Sequence, residues 1–424
     1  MREDWIEALL PDVCDILDNL RKPINVTERN KRIEGKKVDE LYPYYGATGQ
    51  VGYIDDYLTD GDYILIGEDA APFLDYTKDV AFKISGKTWV NNHAHILKSH
   101  FNDDFLRHYL NQFQFKDFVS GTTRLKLTQG AMKRMPVRVA PLPIQRAIVS
   151  KIETLFSDLD KGIADLNLAK AQLKIYRQAV LSFSFPKERK VEISKLVNEL
   201  SQGWSPKCIN QSSKDNTQWA VIKTSAIQAG RFVEIENKIL PESLEPREQH
   251  EIEKDDILIT RAGPRVRVGI CCLVKNTRPK LINCDKVYRL RLNKTLVSPE
   301  YFEYAMNSPE ILSEIEVMKS GSSDSGLNLT QKVFLKLEIP LPKTIEEQHQ
   351  IVREIESRLS VCDKVEQSIT KALLTSEALR QSILKKAFEG KLLSAAEIER
   401  CKQEADYEPA SVLLERIKKE KNGK

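Results

Sequence analysis

Two similar stretches decide the fold: "PLPIQRAIVSKIETLFSDLDK" at residues 141–161 and "PLPKTIEEQHQIVREIESRLSVCDK" at residues 340–364. Each begins with Pro-Leu-Pro, lies downstream of Leu-Thr-Gln, and continues into an amphipathic segment. With an offset of 203, residues 145–185 align with 348–388 without a gap and are identical at 13 of 41 positions. Because charged residues and glutamines match as well as apolar ones, the chain contains the same unit twice.

Both aligned segments have the periodicity of one long helix. Apolar residues recur every three or four positions from Ile148 to Val180 and again from Ile351 to Leu373. About 40 residues form a rod of roughly 60 Å, and a single apolar stripe on such a rod needs a partner helix. The other copy is the simplest partner, and the alternative is two ordinary long helices in a helical domain.

The segments before the two helices also match, although more weakly. "DGDYILIG" (60–67) is similar to "EKDDILIT" (253–260), and "DDFLRHYL" (103–110) is similar to "PEYFEYAM" (299–306). The first pair predicts a turn followed by a buried strand and the second a short helix. The sequence therefore predicts a β-rich globular domain followed by a long helix, written twice. The predicted segments are 1–143, 144–185, 186–343, 344–392 and a tail at 393–424.

Composition indicates a cytoplasmic globular protein of several domains. The 424 residues are 41% hydrophobic and 30% charged, and the chain has neither an apolar run long enough for a membrane span nor an apolar signal core. The seven cysteines are scattered, with no Cys-x-x-Cys pair that would indicate zinc. Since the formal net charge is only +4, nucleic-acid binding would depend on local basic patches.

Motifs for catalysis are missing from the sequence. His93 and His95 could share one face of a strand, but no further metal ligand is evident, so packing or hydrogen bonding is the favoured role. Pairs of neighbouring aspartates stand at turns and element starts, where helix capping and solvation explain them. We therefore predict no catalytic residue and no metal ligand on this chain.

Over nearly its whole length, the chain resembles the specificity subunits of type I restriction–modification systems. The resemblance rests on the two joints, "SGTTRLKLTQ" (120–129) before "PLPIQ" and "SGLNLTQ" (325–331) before "PLPKTIEEQ". "PYYGATGQVGYIDDY" (43–57), "NNHAHIL" (91–97), "ILITRAGP" (257–264) and the tail "YEPASVLLERIKKEK" (407–421) add to it. The family's Glu-Gln pair stands at Glu347-Gln348, whereas the first joint has Ile144-Gln145. Ala70 stands where related domains often have glycine.

The resemblance implies an α+β fold with a pseudo-twofold internal repeat. Two target recognition domains would be joined by two long antiparallel coiled-coil helices, and each domain would read half of a split site in double-stranded DNA. The helices would set the spacer between the half-sites and dock two adenine-N6 methyltransferase subunits. S-adenosylmethionine, ATP and Mg would bind to the methyltransferase and restriction subunits, so this chain would carry no cofactor.

Contacts to DNA need basic, small polar or aromatic side chains on exposed loops. In the first domain the candidates are Arg21, Lys22, Tyr44, Tyr45, Gly46, Asn91, Asn92, His93, Thr122, Thr123, Arg124 and Lys126. In the second domain they are Trp204, Lys207, Lys223, Arg261, Arg265, Arg267, Lys319, Ser322, Ser323 and Asn328. The candidates for subunit contact on the helices are Ile148, Val149, Phe156, Ile351 and Val352, with packing against the chain's own domains as the alternative.

Two other functions compete with this interpretation. A DNA-recognition subunit of a methyltransferase-only or different restriction system would have the same sequence features. A coiled-coil scaffold with two protein-binding domains, and no role in DNA binding, is the second alternative because the net charge is small. Neither the recognised bases nor the spacer length follows from the sequence, since loop side chains decide them.

Overall fold

The computed structural model describes residues 4–422, which form two successive sets of strands and helices. The strands of the first set are β1 (Ile6–Leu9), β2 (Cys14–Ile16), β3 (Tyr42–Gly46), β4 (Gly49–Ile54), β5 (Thr59–Asp60), β6 (Tyr63–Gly67), β7 (Ala81–Ile84), β8 (Lys87–Val90), β9 (Ala94–Ser99), β10 (Val119–Ser120), β11 (Lys126–Leu127) and β12 (Pro136–Val139). Its helices are α1 (Leu10–Val13), α2 (Val26–Ile33), α3 (Asp103–Gln112), α4 (Gln129–Met132) and α5 (Leu142–Ser184).

The second set likewise ends in a long helix, and a helical tail follows it. Its strands are β13 (Lys190–Glu192), β14 (Val197–Gln202), β15 (Ala220–Ile222), β16 (Ile227–Gln228), β17 (Arg231–Phe232), β18 (Asn237–Ile239), β19 (Ile257–Thr260), β20 (Ala262–Gly263), β21 (Cys271–Leu273), β22 (Leu281–Ile282), β23 (Val287–Leu292), β24 (Leu327–Asn328) and β25 (Glu338–Pro340). Its helices are α6 (Pro299–Met306), α7 (Pro309–Met318), α8 (Gln331–Phe334) and α9 (Ile345–Phe388). The tail contains α10 (Ala395–Lys402) and α11 (Ala410–Asn422).

Each globular domain is built around a four-stranded antiparallel sheet. The strand order is β2-β9-β6-β7 in the first domain and β14-β23-β19-β21 in the second. The strands predicted at 60–67 and 253–260 are β6 and β19, whose apolar residues are buried in the middle of these sheets. A second sheet in each domain, four-stranded in the first and three-stranded in the second, contains one parallel pair, β3 with β8 and β15 with β22. The internal repeat predicted from sequence is therefore present in the topology.

Two compact units divide the chain, and the division cuts through both long helices. The first unit runs to Leu166 and resumes at Thr370, and the second is Asn167–Ile369. The helices begin and end within a few residues of the predicted 144–185 and 344–392, so Pro141 and Pro340 lie at the joints, as expected. The tail predicted as a separate segment at 393–424 instead completes the first unit, because its apolar side chains enter that unit's core. No helix among residues 4–422 is long and apolar enough to cross a bilayer.

The two long helices run antiparallel, and identical residues make equivalent contacts twice. In the second unit, Arg177 Nη2 of α5 lies 2.7 Å from Asp363 Oδ1 of α9. In the first unit, Arg380 of α9 pairs with Asp160 of α5. Both arginines and both aspartates are related by the offset of 203. These residues are alike in the two copies because each ion pair joins the two helices.

The identical phenylalanines near the helix ends make a second pair of equivalent contacts. Phe388, the last residue of α9, packs edge-on against Phe105 of α3, with ring centroids 5.1 Å apart. Phe185, just after α5, packs edge-on against Tyr301 of α6 at 5.5 Å. Each long helix therefore leaves one globular domain and ends in the core of the unit that contains the other domain.

A buried glutamine holds each joint between a domain and its helix. Gln145 Oε1 accepts a hydrogen bond from Asn102 N at 3.1 Å, and Gln348 Oε1 accepts one from Ser298 N at 2.8 Å. Asn102 and Ser298 are the N-cap residues of α3 and α6. Both glutamines are at most 1% exposed, and each amide nitrogen also donates to a main-chain carbonyl. The shared glutamine therefore fixes the helix to the domain that precedes it.

We expect Gln348→Ala to lower the free energy of unfolding of the second unit by about 2 kcal/mol. The substitution leaves the buried Ser298 N–H and Leu296 carbonyl without the partners they have now. Hydrogen exchange resolved to peptides covering 296–306 measures the effect. Gln350→Ala, an exposed glutamine on the same helix, is the matched control. Equal protection in the two variants would contradict the assigned role.

Candidate nucleic-acid interface

In the first unit, four chain segments meet where β6 ends. The segment after β2 is attached through Lys22 N, which donates to Val90 O at 3.1 Å. Glu68 N, just after β6, donates to His93 O at 2.7 Å, and Leu127 N donates to Glu68 O at 2.8 Å. We call the segments 18–22, 68–71, 91–93 and 120–128 the first loop edge. It brings together most of the residues predicted from sequence in this domain.

The second unit has an equivalent surface where β19 ends. Trp204 N donates to Asn283 O at 2.9 Å, and Arg261 N donates to Lys286 O at 2.9 Å. Leu329 N donates to Arg261 O at 2.8 Å, as Leu127 N does to Glu68 O. We call the segments 203–207, 261–268, 283–286 and 319–329 the second loop edge. The same backbone framework therefore presents different side chains in the two domains.

Three cations on the first loop edge, Arg21, Arg124 and Lys126, are paired with carboxylates. Arg21 pairs with Glu68, and its Nη2 lies 3.3 Å from Asp18 Oδ2. Lys126 Nζ lies 3.1 Å from Glu68 Oε1, so this carboxylate joins two of the predicted DNA contacts. Burial by itself raises the pKa of Asp18, but the hydrogen bond with His95 and the Arg21 charge outweigh it and hold that pKa below its usual value. Asp18 therefore stays ionised and fixes Arg21.

A buried ring supports the same backbone position in both loop edges. His95 Nε2 lies 2.8 Å from Leu127 O, and its Nδ1 lies 2.7 Å from Asp18 Oδ2. At the equivalent register of β23, Tyr288 Oη donates to Leu329 O at 2.8 Å. His95 thus has the hydrogen-bonding role favoured from sequence. Among residues 4–422, no group of three or more His, Cys, Asp or Glu side chains is arranged to hold a metal ion.

On the second loop edge, the arginines are held by other parts of the same domain. Arg261 Nε donates to Asp285 O at 2.8 Å, and its guanidinium lies 5.7 Å from the centroid of Tyr288. Arg265 Nε donates to Asp324 Oδ1 at 2.9 Å, and Arg265 also pairs with Glu316. The basic patch predicted at "RAGPRVR" is present. Its arginine side chains carry positive charge and also hold the loops in place through these contacts.

Three more predicted cations of the second domain, Lys223, Arg267 and Lys319, also have partners within it. Arg267 Nη2 donates to Thr224 O at 2.7 Å, and Lys223 Nζ lies 3.5 Å from Glu236 Oε2. Lys319 Nζ donates to Arg265 O at 2.8 Å, and its side chain is 7% exposed. Of the predicted basic residues in this domain, Lys207 and Arg265 have exposed side chains. Most of the predicted basic side chains of this domain are therefore half-buried.

The predicted residues divide into three groups by exposure. The exposed ones are Lys22, Asn92, Thr122, Thr123, Arg124, Lys126, Lys207, Arg265, Ser322, Ser323 and Asn328. The half-buried ones are Arg21, Tyr45, His93, Trp204, Lys223, Arg261, Arg267 and Lys319. Tyr44, Gly46 and Asn91 are buried.

The three buried residues have packing roles in place of the predicted DNA contacts. The Tyr44 ring lies in a small core, 4.8 Å from the guanidinium of Arg29. A Cβ on Gly46 would meet Asn91 Nδ2 at 3.4 Å. Asn91 Oδ1 accepts a hydrogen bond from His93 N at 2.7 Å and so shapes the turn before β9. These residues position the loop edge without forming its surface.

Two basic residues that were not predicted from the sequence contribute to this surface: Lys286, within the second loop edge, and Arg247, beside it. Lys286 is exposed, and its carbonyl accepts the hydrogen bond from Arg261 N. The Arg247 guanidinium lies 4.4 Å from the Trp204 ring centroid. Lys286 occupies the place that His93 has in the first domain, so alignment of "VNNHAHIL" with "INCDKVYRL" could have found it. For Arg247 the sequence carries no comparable signal, because the residue comes from a separate loop.

Three of the five predicted subunit contacts lie inside the chain's own cores. Ile148 and Val149 are buried in the core of the first unit, and Val352 is buried in that of the second. Phe156 and Ile351 are partly buried against the same cores. This arrangement supports the alternative, packing against the chain's own domains, because a buried side chain offers no surface to a partner.

Ala70, where the resemblance implies glycine in related domains, lies at a turn with an unusual backbone conformation. Its φ of 57° lies in the left-handed region, and Gly263, at the corresponding turn of the second domain, has a φ of 142°. Ala70 N also donates to Leu125 O at 2.9 Å. Ala70 therefore holds a conformation that costs an L-residue about 1–2 kcal/mol, and its hydrogen bond to Leu125 O helps to keep it there.

Comparison with known proteins gives consistent matches along the chain. A family model described as the type I restriction modification DNA specificity domain matches residues 2–167 and 194–375. The EcoKI specificity subunit of Escherichia coli strain K12 is 26% identical over 339 residues, which cover 75% of this chain and 71% of that protein. The EcoEI specificity subunit of Escherichia coli is 36% identical over 191 residues, so the match spans 32% of that protein's length.

Solved structures share the fold at low sequence identity. The HsdS subunit from Thermoanaerobacter tengcongensis matches with a TM-score of 0.57 and 17% identity, covering 92% of this chain and 98% of that one. A chain from work on complex assembly and conformational transition of the type I R-M system has a TM-score of 0.66 and 16% identity, with 92% and 99% covered. Both chains therefore share the overall fold of this chain.

Proposed function

Because the chain belongs to the type I restriction modification DNA specificity family, we propose that it reads a split DNA site for a restriction–modification complex. The two loop edges carry this proposal. One backbone framework, built twice, presents two different sets of polar and basic side chains. Different side chains on equivalent surfaces are what a reader of two unlike half-sites needs. The recognition domains would each bind one half-site.

Chemistry would be supplied by partner subunits. Specificity subunits are non-catalytic parts of type I systems, and methyltransferase subunits would bind S-adenosylmethionine and transfer its methyl group to adenine N6. Restriction subunits would use ATP and Mg for translocation and cleavage. We propose two methyltransferase subunits per chain, because the chain has two equivalent domain–helix joints.

Methyladenine mapping tests this function most directly. The chain is co-expressed with a cognate methyltransferase subunit, and methyladenine is mapped across the host genome. We expect methylation at one bipartite motif with a fixed spacer. Cells with the methyltransferase subunit alone are the control. Methylation without a split motif, or with no dependence on this chain, would contradict the proposal.

The scaffold alternative differs in its response to salt. DNA binding through phosphate contacts releases counterions, so log affinity falls linearly with log salt concentration. We expect the complex of this chain with the methyltransferase subunit to lose affinity for a duplex containing its site steeply between about 50 and 200 mM salt. A coiled-coil scaffold would show no duplex binding over this range.

We expect Arg261→Ala combined with Arg265→Ala to remove specific DNA binding, with a loss of about tenfold or more. The double substitution removes two positive charges from the second loop edge. It also removes the hydrogen bond of Arg261 to Asp285 O and the ion pair of Arg265 with Asp324, which hold the loop. A gel shift against the mapped motif measures the loss. Lys294→Ala removes an exposed, ion-paired cation beyond the far end of β23 and is the matched control. Unchanged affinity and motif in the double variant would disprove this role.

A further inference from the structure

The segment between β19 and β21 (residues 261–270), a loop that includes the short strand β20, is held firmly on the second loop edge. Arg265 N donates to Asp324 O at 2.8 Å, and Gly269 N donates to Thr260 O at 2.7 Å. Val268 is buried in the core of the second unit. A Cβ on Gly269 would lie 2.6 Å from Ile315 Cγ2, so the loop is also packed closely against α7. Both sides of the loop are thus fixed, and its tip has a defined position.

The tip of this loop carries an apolar side chain. Val266 is 80% exposed and stands between Arg265 and Arg267. Val317, next to the Glu316 that pairs with Arg265, is 85% exposed. A single exposed valine is ordinary. Here, however, each of the two exposed valines is a sequence neighbour of one member of the same ion pair, Arg265 with Glu316. Removing Val266 from water in a complex would be favourable and would require little ordering, because the loop is already fixed.

The neighbouring arginines are poorly placed to read bases. Arg265 has two carboxylate partners, Asp324 and Glu316, and Arg267 donates to the Thr224 carbonyl. A bidentate contact to guanine would require breaking charge-assisted hydrogen bonds, which are among the stronger ones in proteins. The arginines therefore orient the loop, and Val266 is exposed between them.

We propose that Val266 is a specificity-determining residue that contacts the 5-methyl group of a thymine in the major groove. Among the four bases, only thymine presents a methyl group in that groove, and an apolar side chain is its complement. The half-site read by the second domain then contains at least one A·T pair that Val266 selects. This inference rests on the proposed function, because it requires that the second loop edge binds DNA.

The test removes one methyl group from the DNA and the valine methyls from the protein. After the motif has been mapped, each thymine of a duplex containing it is replaced in turn by deoxyuridine, which lacks only the 5-methyl group. Affinity is measured for the assembled complex with the methyltransferase subunit. For the unsubstituted valine, we expect one position where deoxyuridine weakens binding about fourfold, the effect of one buried methyl group. The Val266→Ala variant should bind the thymine duplex and the deoxyuridine duplex of that position equally.

Each other outcome overturns the proposal in a distinct way. If Val266→Ala still distinguishes thymine from deoxyuridine, or if no thymine of the motif is sensitive, Val266 does not make the proposed contact. A Val266→Ala chain that no longer assembles with the methyltransferase subunit would make Val266 a protein-docking residue. Val361→Ala, an exposed valine on α9, controls for loss of a surface valine and should keep the discrimination. Absence of any split motif would instead refute the proposed function itself.

Discussion

Replacing Leu413 and Ile417 together with alanine is expected to unfold the first unit and leave the second folded. Both side chains are fully buried, and they lie on α11 in the same core as α3 and β12. Each replacement of a buried leucine or isoleucine by alanine lowers the free energy of unfolding by about 2–5 kcal/mol. The sum of the two is comparable with the total free energy of unfolding of an ordinary domain. The tail would then be a required part of the first recognition domain's core.

Hydrogen exchange resolved to peptides separates the two units in this experiment. Peptides from β6 and β9 should lose protection, while those from β19 and β23 keep it. Val412→Ala is the matched control, since Val412 lies on the same helix but is 48% exposed. Full protection of β6 and β9 in the double variant would mean that the first unit folds without its tail.

Gly203→Ala is expected to disrupt the second loop edge and lower the free energy of unfolding of that unit by at least about 3 kcal/mol. A Cβ at this position would lie 1.9 Å from Asn283 O and 2.2 Å from its carbonyl carbon. Both are backbone atoms, so no side-chain rotation relieves the overlap. The two segments must separate, which breaks the hydrogen bond from Trp204 N to Asn283 O.

The effect of Gly203→Ala should appear in both stability and specificity. Peptides covering 203–210 and 281–287 should exchange faster, and the mapped motif should lose its requirement for the half-site read by the second domain. Gly326→Ala is the control for stability, because the nearest neighbour of its added Cβ would be Ser323 Oγ at 3.6 Å. If the two variants are equally stable, the close approach at Gly203 is not a structural requirement.

Local patterns were sufficient to predict the helices, the joints and the doubling of the fold. Helical periodicity and prolines are properties of neighbouring residues, so α5 and α9 begin and end close to their predicted bounds. The identities between the copies also marked residues that make equivalent contacts, such as Gln145 with Gln348 and Arg177 with Arg380. The repeat therefore indicated both the architecture and the residues whose contacts hold the helices to the domains and to each other.

Contacts between distant parts of the chain could not be predicted in this way. Arg265 is predicted from sequence as a DNA contact, and the carboxylate partners that also hold it lie 51 and 59 positions along the chain. Tyr44 was predicted as a loop aromatic, and a strand pairing that the sequence does not specify buries it. The tail returns to the first domain, where Lys421 Nζ donates to Cys14 O at 2.7 Å. Such contacts depend on how separate segments pack together.

The glutamines at the joints have a consequence for how recognition surfaces can change over time. Gln145 and Gln348 bind only main-chain groups: the N–H of an N-cap residue and a carbonyl. Such contacts are indifferent to which side chains the domain carries. Loop residues can therefore be replaced, or a whole domain exchanged for one with another preference, without redesigning the attachment. Such a joint would let new sequence preferences arise while the helices that carry them stay the same.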